Sequence, residues 1–183
     1  RASVAGTAIR CGAAMINDVS GGTLDPQMHP LILQQKVPYI LGHLRGSPEN
    51  MASMTHYQDA PSEVFDFLVQ NAEALYQAGA PALLLDPCFG FAKNQTQNYQ
   101  ILLRLSELVT YGWPVMAGLS RKSMIYRPLG LDTARALNGT TALHAIALTQ
   151  GARLLRVHDV VEAAQCINLW CLFQNREDLL KIS

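Results

Sequence analysis

The sequence predicts an α/β fold in which short parallel strands alternate with helices. Five mostly apolar runs alternate with stretches of helical periodicity. Polar or charged residues follow the carboxyl end of every run, whereas the ligand crevice of an open sheet draws on only a few strands. The pattern therefore favours a closed (β/α)8 TIM barrel. A complete barrel needs roughly 250 residues, so we expect residues 1–183 to form one partial domain that supplies about the last five β/α units.

The predicted strands are short, as expected for strands that are buried on both faces. They comprise residues 14–16, 38–41, 82–85, 114–117 and 154–157. A glycine stands just upstream of four of them, where it would end the preceding helix. The predicted helices comprise residues 2–9, a helix that begins at Pro61 or Ser62, residues 98–111, residues 133–150, and residues 161 to about 180.

Composition excludes several classes of protein. The net charge is zero and no basic run is present, so we expect no nucleic-acid partner. No apolar run approaches the ~20 residues of a membrane span, and the start of the sequence has no signal-like apolar segment. We therefore expect no membrane partner. The four cysteines form no C-x-x-C pair, which disfavours structural zinc and predicts reduced thiols in the cytoplasm.

Asp86 follows the predicted strand 82–85, and Pro87 ends that strand because it has no N–H to donate. A carboxylate at a barrel rim can accept two N–H bonds from a planar, amidine-like ring. A turn or a helix cap before Pro87 is an equally good explanation of this one residue. The following loop alternates aromatic and small residues, among them Phe91, and would pack closely against a flat ligand.

Two other strands end in side chains that suit a ring-shaped ligand. Asn17 offers both a donor and an acceptor, although an Asx turn at Asn17 and Asp18 is the more common role. Arg121 and Lys122 follow the fourth strand directly, which favours an anion or ligand contact over a solvated pair. Gly118 beside them would let a ring approach the backbone closely.

Arg156 and His158 lie two residues apart at the end of the last strand, so both side chains should face the same way. An arginine and a histidine on one face make a phosphate clamp. The alternative is a salt bridge from Arg156 to Asp159 or to another acid at the rim, and we favour the clamp. His43, at the end of the second strand, is expected to be structural.

Five motifs, in this order, resemble those of the dihydropteroate synthase family. They are I-N-D-V-S-G-G, H-L-R-G-S-P-x-x-M, D-P-C-F-G-F-A-K, S-R-K-S and R-V-H-D-V. Each stands at a predicted strand end, and together they cover essentially the whole chain. The resemblance implies a transferase of folate biosynthesis that condenses 6-hydroxymethyl-7,8-dihydropterin pyrophosphate with p-aminobenzoate, releases pyrophosphate and is inhibited by sulfonamides.

The resemblance also implies a role for each candidate residue. The pterin pocket would comprise Asn17, Asp86, Phe91, Gly118 and Lys122. Arg156 and His158 would bind pyrophosphate, and Ser120, Arg121 and Phe91 would lie on the p-aminobenzoate side. Asp86, Lys122 and Arg156 would be the catalytic residues. The family further implies Mg²⁺, with its protein ligand expected in N-terminal units that this chain lacks, and a homodimer when complete.

The chain departs from the family in ways that bear on activity. The resemblance implies glycine where this chain has Cys88 and Ala92, and methionine where it has Gly42. If Cys88 adopts a positive φ, the strain costs about 1–2 kcal/mol. Because three N-terminal units with their loops are missing, we expect this chain alone to be inactive or incomplete. The alternatives are a pterin-binding methyltransferase on the same barrel and a non-catalytic pterin-binding fragment.

Overall fold

The computed structural model of the protein describes residues 1–174 of the 183-residue chain. The strands are β1 Ile16–Asp18, β2 Tyr39–Gly42, β3 Leu83–Asp86, β4 Met116–Ala117 and β5 Leu154–Leu155. The helices are α1 Ala2–Arg10, α2 Met28–Gln35, α3 Ala60–Gln77, α4 Gln95–Leu103, α5 Leu105–Val109, α6 Ser123–Tyr126, α7 Leu137–Thr149 and α8 Val160–Gln174. Every predicted strand is present, although β1 begins two residues later than predicted and includes Asn17 and Asp18, and β4 and β5 are shorter than predicted.

All the strands run parallel and stand side by side in chain order. β1, β2 and β3 form one sheet, and β4 and β5 form a second. A parallel bridge between Leu85 and Val115 joins the two sheets into one continuous array. This arrangement confirms the α/β class and corresponds to part of a TIM barrel.

The two faces of the array have different roles. Ile16, Leu41 and Leu85 point toward the helices and belong to the main hydrophobic core. Because successive side chains of a strand alternate between faces, the residues between them point to the opposite face. The strand pairing aligns Asn17 with Ile40 and Gly42 with Asp86 on that second face. The candidate polar residues therefore share the face that the helices do not cover.

Helix α3 shows how the sequence sets an element boundary. The Asp59 carboxylate accepts a hydrogen bond from the Ser62 N–H, and a proline occupies the first turn, as is favourable at a helix start. Val64, Phe65 and Leu68 are buried on one side of the helix. The helix begins at Ala60, close to the predicted start.

Other helices differ from the prediction for local reasons. The predicted helix 98–111 begins earlier, because Asn94 and Gln97 form a capping box, and it is interrupted at Arg104 between α4 and α5. The predicted helix 133–150 begins at Leu137. Helices α2 and α6 were not predicted: each is short and buries only two residues, which leaves a weak periodic signal.

The predicted closing helix is present as α8 up to Gln174, and its predicted end near residue 180 lies outside the described residues. Within residues 1–174, no helix has the length and apolar character that crossing a membrane requires.

Candidate active site

Asp86 forms the floor of the site at the end of β3. Its side chain is completely buried. One carboxylate oxygen, Oδ1, accepts a hydrogen bond of 2.8 Å from the Cys88 N–H. The other, Oδ2, is buried and has no hydrogen-bond partner within residues 1–174. Buried polar atoms are rarely left unpaired, so Oδ2 indicates the place where a ligand would donate a hydrogen bond.

The loop that follows Asp86 holds a strained backbone. Cys88 has a φ of 54° and Ala92 a φ of 49°, in the left-handed region that disfavours residues with a Cβ. Both are positions where the family resemblance implied glycine, and the condition under which strain was expected at Cys88 is met. The Cys88 sulfur also fills the space beside Gly42, where an added Cβ would lie 2.8 Å from it.

Lys93 stabilises this loop from inside the protein, and its role was not identified from the sequence. Its ammonium group is buried and donates to the Phe91 carbonyl at 2.9 Å, with weaker contacts to the carbonyls of His43 and Cys88. The nitrogen also lies 3.1 Å from His43 Nδ1. Lys93 therefore joins the end of β2 to the Asp86 loop. The sequence signal that could have identified Lys93 was a single lysine at the end of the D-P-C-F-G-F-A-K motif.

Burial is the main cause of the pKa shifts of Lys93 and His43. It lowers the pKa of Lys93 to about 8, and the negative charge of Asp86 only partly opposes this shift. Burial also lowers the pKa of His43 to about 3, helped by the nearby charges of Lys93 and Arg45. His43 is therefore neutral near neutral pH, so its Nδ1 can accept a hydrogen bond from Lys93, and its structural role stays a prediction.

Asn17 and Asp18 separate into two roles. Asn17 is exposed on the open face of the array. Asp18 is turned the other way and accepts hydrogen bonds from Tyr39 Oη, from the Gly22 N–H and from both the N–H and the hydroxyl of Ser20. Burial acts to raise the pKa of Asp18, but these hydrogen bonds hold it below its usual value. The Asx turn considered for this pair exists, and Asp18 forms it.

Lys122 reaches over the Asp86 loop. Its Nζ donates to the Phe89 carbonyl and lies 4.9 Å from the centre of the Phe91 ring. Burial lowers the pKa of Lys122, and the charge of Asp86 opposes that shift. The structure thus brings Asp86, Phe91 and Lys122 together, as predicted.

A second group of candidates surrounds a cavity of about 300 Å³ between β4 and β5. Its lining comprises Gly118, Ser120, Lys122, Arg156, Val157 and His158. The Arg156 guanidinium lies over Gly118, where an added Cβ would come within 3.1 Å of it. Arg156 and His158 therefore face one cavity, as the alternation predicted, and a side chain at position 118 would require the Arg156 guanidinium to shift by a few tenths of an ångström.

The alternative salt bridge between Arg156 and Asp159 is absent, because Arg121 occupies that carboxylate. Arg121 Nη2 and Nε donate to the two Asp159 oxygens at 2.7 and 2.9 Å. Its remaining terminal nitrogen donates to the carbonyls of Thr133 and Ala134. The hydrogen bonds with Asp159 raise the pKa of Arg121, and all of these contacts give the side chain a supporting role. Its contact with p-aminobenzoate stays a prediction.

The combined geometry suits a ligand with two chemically different ends. Asp86 offers an acceptor at a buried floor, which suits the donor edge of a planar heterocycle. Arg156 and Lys122 place positive charge at the neighbouring cavity, which suits an anionic group. In residues 1–174, no group of three or more His, Cys, Asp and Glu side chains is arranged to hold a metal ion.

Comparison with known proteins gives one consistent family. A family model described as "Pterin binding enzyme" matches residues 1–158. The dihydropteroate synthase of Synechocystis sp. is 39% identical over 168 residues, which cover 90% of this chain and 58% of that protein. The chain therefore spans less than two thirds of the length of this curated relative.

Two solved structures of the dihydropteroate synthase from Thermus thermophilus share the fold. The complex with 6HMPPP superposes with a TM-score of 0.91 at 37% identity, covering 96% of this chain and 70% of that one. The complex with 4-aminobenzoate superposes with a TM-score of 0.88 at 38% identity, covering 93% and 66%. These matches confirm the family that the five motifs predicted.

Proposed function

Because the chain belongs to the family of pterin-binding enzymes, we propose that it is part of a dihydropteroate synthase. This transferase condenses 6-hydroxymethyl-7,8-dihydropterin pyrophosphate with p-aminobenzoate in folate biosynthesis. The observation that carries the proposal is the unpaired Oδ2 of the buried Asp86, which can accept a hydrogen bond from the aminopyrimidine edge of a pterin. The pterin and p-aminobenzoate complexes of the Thermus thermophilus relatives support it.

The chemistry follows from the two ends of the site. Asp86 and Lys122 would hold the pterin ring, with Asn17, Phe91 and Gly118 around it. The bond between the pterin methylene carbon and the pyrophosphate oxygen breaks, and Arg156 and His158 would stabilise the charge of the departing pyrophosphate. The arylamine nitrogen of p-aminobenzoate then forms the new bond to that carbon and loses one proton to solvent, so no covalent enzyme intermediate is required.

The open, positively charged cavity favours this reaction over the methyltransferase alternative. A methyl transfer from a folate releases no pyrophosphate, so Arg156 and the cavity beside it would have no anion to bind. A non-catalytic pterin-binding fragment remains the second candidate function, since the chain spans less than two thirds of the curated relative.

Further properties of the whole enzyme belong to the same proposal. We expect Mg²⁺ to be held by an asparagine of the family's N-terminal units, and sulfonamides to compete with p-aminobenzoate. A homodimer is supported by an apolar groove of about 710 Å³ between α7 and α8, which Leu169 and Phe173 help to line. A cytoplasmic location is supported by the four free cysteines.

The proposal is tested in two steps. First, the pterin pyrophosphate is titrated into the 183-residue chain, and we expect saturable binding that Asp86→Asn strongly weakens. Second, the chain is extended with the N-terminal units of the Synechocystis relative, and pyrophosphate release is followed with labelled p-aminobenzoate and Mg²⁺. Turnover by the extended protein supports the transferase. Binding without any turnover favours the non-catalytic fragment, and no binding in either form refutes both.

A further inference from the structure

Ser120 connects the ends of the two short strands β4 and β5. The parallel ladder between these strands ends where the Arg156 N–H donates to the Ala117 carbonyl at 3.1 Å. One step further along, the His158 N–H donates to the Ser120 hydroxyl oxygen, also at 3.1 Å. Ser120 is buried, so a side chain continues the ladder where backbone pairing stops.

The same hydroxyl group meets the His158 ring. Ser120 Oγ lies 2.9 Å from His158 Nδ1. A hydroxyl has one proton to donate and two lone pairs to accept with. One lone pair already receives the His158 N–H, and within residues 1–174 the hydroxyl has no hydrogen-bond partner other than His158. The hydroxyl proton is therefore satisfied only if it is donated to Nδ1.

This donation decides which neutral tautomer the ring adopts. An Nδ1 that accepts a hydrogen bond carries no proton, so the imidazole proton is on Nε2. Nε2 is on the side of the ring away from Ser120, and His158 lines the cavity together with Arg156 and Lys122. The opposite tautomer would turn a lone pair, rather than a donor, toward any anion in that cavity.

The residues that follow Ser120 and His158 hold the ends of β4 and β5 in a fixed relative position. Arg121, which follows Ser120, holds Asp159, which follows His158, through two hydrogen bonds. Arg121 itself adopts a φ of 54°, and its N–H donates to Thr140 Oγ1 at 3.0 Å. Two consecutive residues after β4 thus fix two consecutive residues after β5.

We propose that Ser120 is a positioning residue that holds His158 in its Nε2–H tautomer, so that the ring donates a hydrogen bond to an anion bound beside Arg156. That the anion is the pyrophosphate group of a substrate rests on the proposed function. The competing explanation is that Ser120 only satisfies the His158 backbone N–H, which would leave the ring free to exchange tautomers.

The tautomer is measured directly by long-range ¹H–¹⁵N correlation spectra of the ¹⁵N-labelled 183-residue chain at pH 8.5. Comparison with His158→Gln identifies the signals of His158. We expect a protonated Nε2 and a bare Nδ1 in the wild-type protein, and a mixture of tautomers in Ser120→Ala. A wild-type ring that is protonated on Nδ1, or already mixed, overturns the proposal. If Ser120→Ala does not fold, the wild-type spectrum alone decides.

Binding of inorganic pyrophosphate tests the consequence of the tautomer. Ser120→Ala should weaken binding roughly tenfold, which is the size of one net hydrogen bond. Ser106→Ala makes the same change at an exposed position and should leave binding unchanged. Equal affinity in all three proteins, or no binding to the wild type, contradicts the role of Ser120 at an anion. Pyrophosphate binding with this pattern but no transferase turnover would refute the proposed function and leave this inference intact.

Discussion

Asp86 and Arg156 stand on the same face of the strand array, yet their surroundings are opposite. Asp86 is completely buried at the end of β3, whereas Arg156 is exposed at the end of β5. The loop beyond Asp86 is joined to β2 by the buried Lys93. The segment beyond Arg156 is held by the side chains of Ser120 and Arg121.

This difference shows how one site can combine two kinds of recognition. The β3 end offers a fixed, dehydrated acceptor, where an unmatched ligand would lose the hydrogen bonds it had to water. The β4–β5 end offers exposed positive charge, whose attraction for anions acts at longer range and is screened by salt. We therefore expect the buried end to determine which ring binds and the exposed end to contribute a smaller part of the affinity.

The largest predicted effect distinguishes Asp86, at the end of β3, from Asp18, at the end of β1, with β2 between the two strands. Asp86→Asn should weaken binding of the pterin pyrophosphate by about 100- to 1,000-fold, because a ligand donor would meet an amide in place of a charged acceptor. The stability of the variant should differ by less than about 1 kcal/mol, since Oδ2 has no hydrogen-bond partner to lose within residues 1–174. Calorimetric titration and urea unfolding measure the two quantities.

Asp18→Asn is the matched control for that comparison. Asp18 accepts four hydrogen bonds within the protein, so its replacement should cost about 2–4 kcal/mol of stability. If Asp86→Asn instead destabilised the fold as strongly as Asp18→Asn and left ligand affinity unchanged, Asp86 would be a structural acid.

The close packing of the buried end predicts a loss of stability in Gly42→Ala. A Cβ at this position would lie 2.6 Å from the Val19 Cα, 2.7 Å from the Asp18 carbonyl oxygen and 2.8 Å from the Cys88 sulfur. We expect a loss of about 2–3 kcal/mol in urea unfolding. The double variant Gly42→Ala/Cys88→Gly should recover part of it, because only the contact with sulfur is relieved. Strictly additive effects would show that residues 42 and 88 do not compete for space.

The strands and the residues at their ends could be predicted from the sequence. The long-range side-chain contacts that hold those strand ends in place could not. Arg156 and His158 could be placed on one face because alternation along a strand is a local rule. The pairing of Arg121 with Asp159 brings together residues 38 positions apart in the chain, and Lys93 contacts His43 across 50 positions. No local pattern encodes such contacts. Helix α2 was missed for a different reason, since it buries only Met28 and Ile32.

The pH dependence of stability tests whether Lys93 is a buried cation. Its folded-state pKa of about 8 lies below the usual value of 10.5, so between these pH values the unfolded chain binds more protons than the folded one. Stability therefore rises with pH through this window and is lost as pH falls through about 8. Relative to Lys93→Met, the wild-type protein should gain about 2 kcal/mol between pH 8 and pH 10. A constant difference across that range would show that Lys93 is not buried as a charge.

The smallest predicted effect belongs to the exposed end. Arg156→Met should weaken binding of inorganic pyrophosphate about tenfold at low salt, because an exposed ion pair contributes less than a buried one. Arg153→Met removes the same charge from an exposed residue three positions earlier. Because side chains alternate between the two faces along a strand, Arg153 faces away from the site. This variant should therefore have no such effect. Raising the salt concentration should reduce the Arg156 effect, while the affinity for an uncharged pterin that depends on Asp86 should stay nearly constant. If salt weakened both ligands equally, the division of the site into a buried recognition end and an exposed electrostatic end would be wrong.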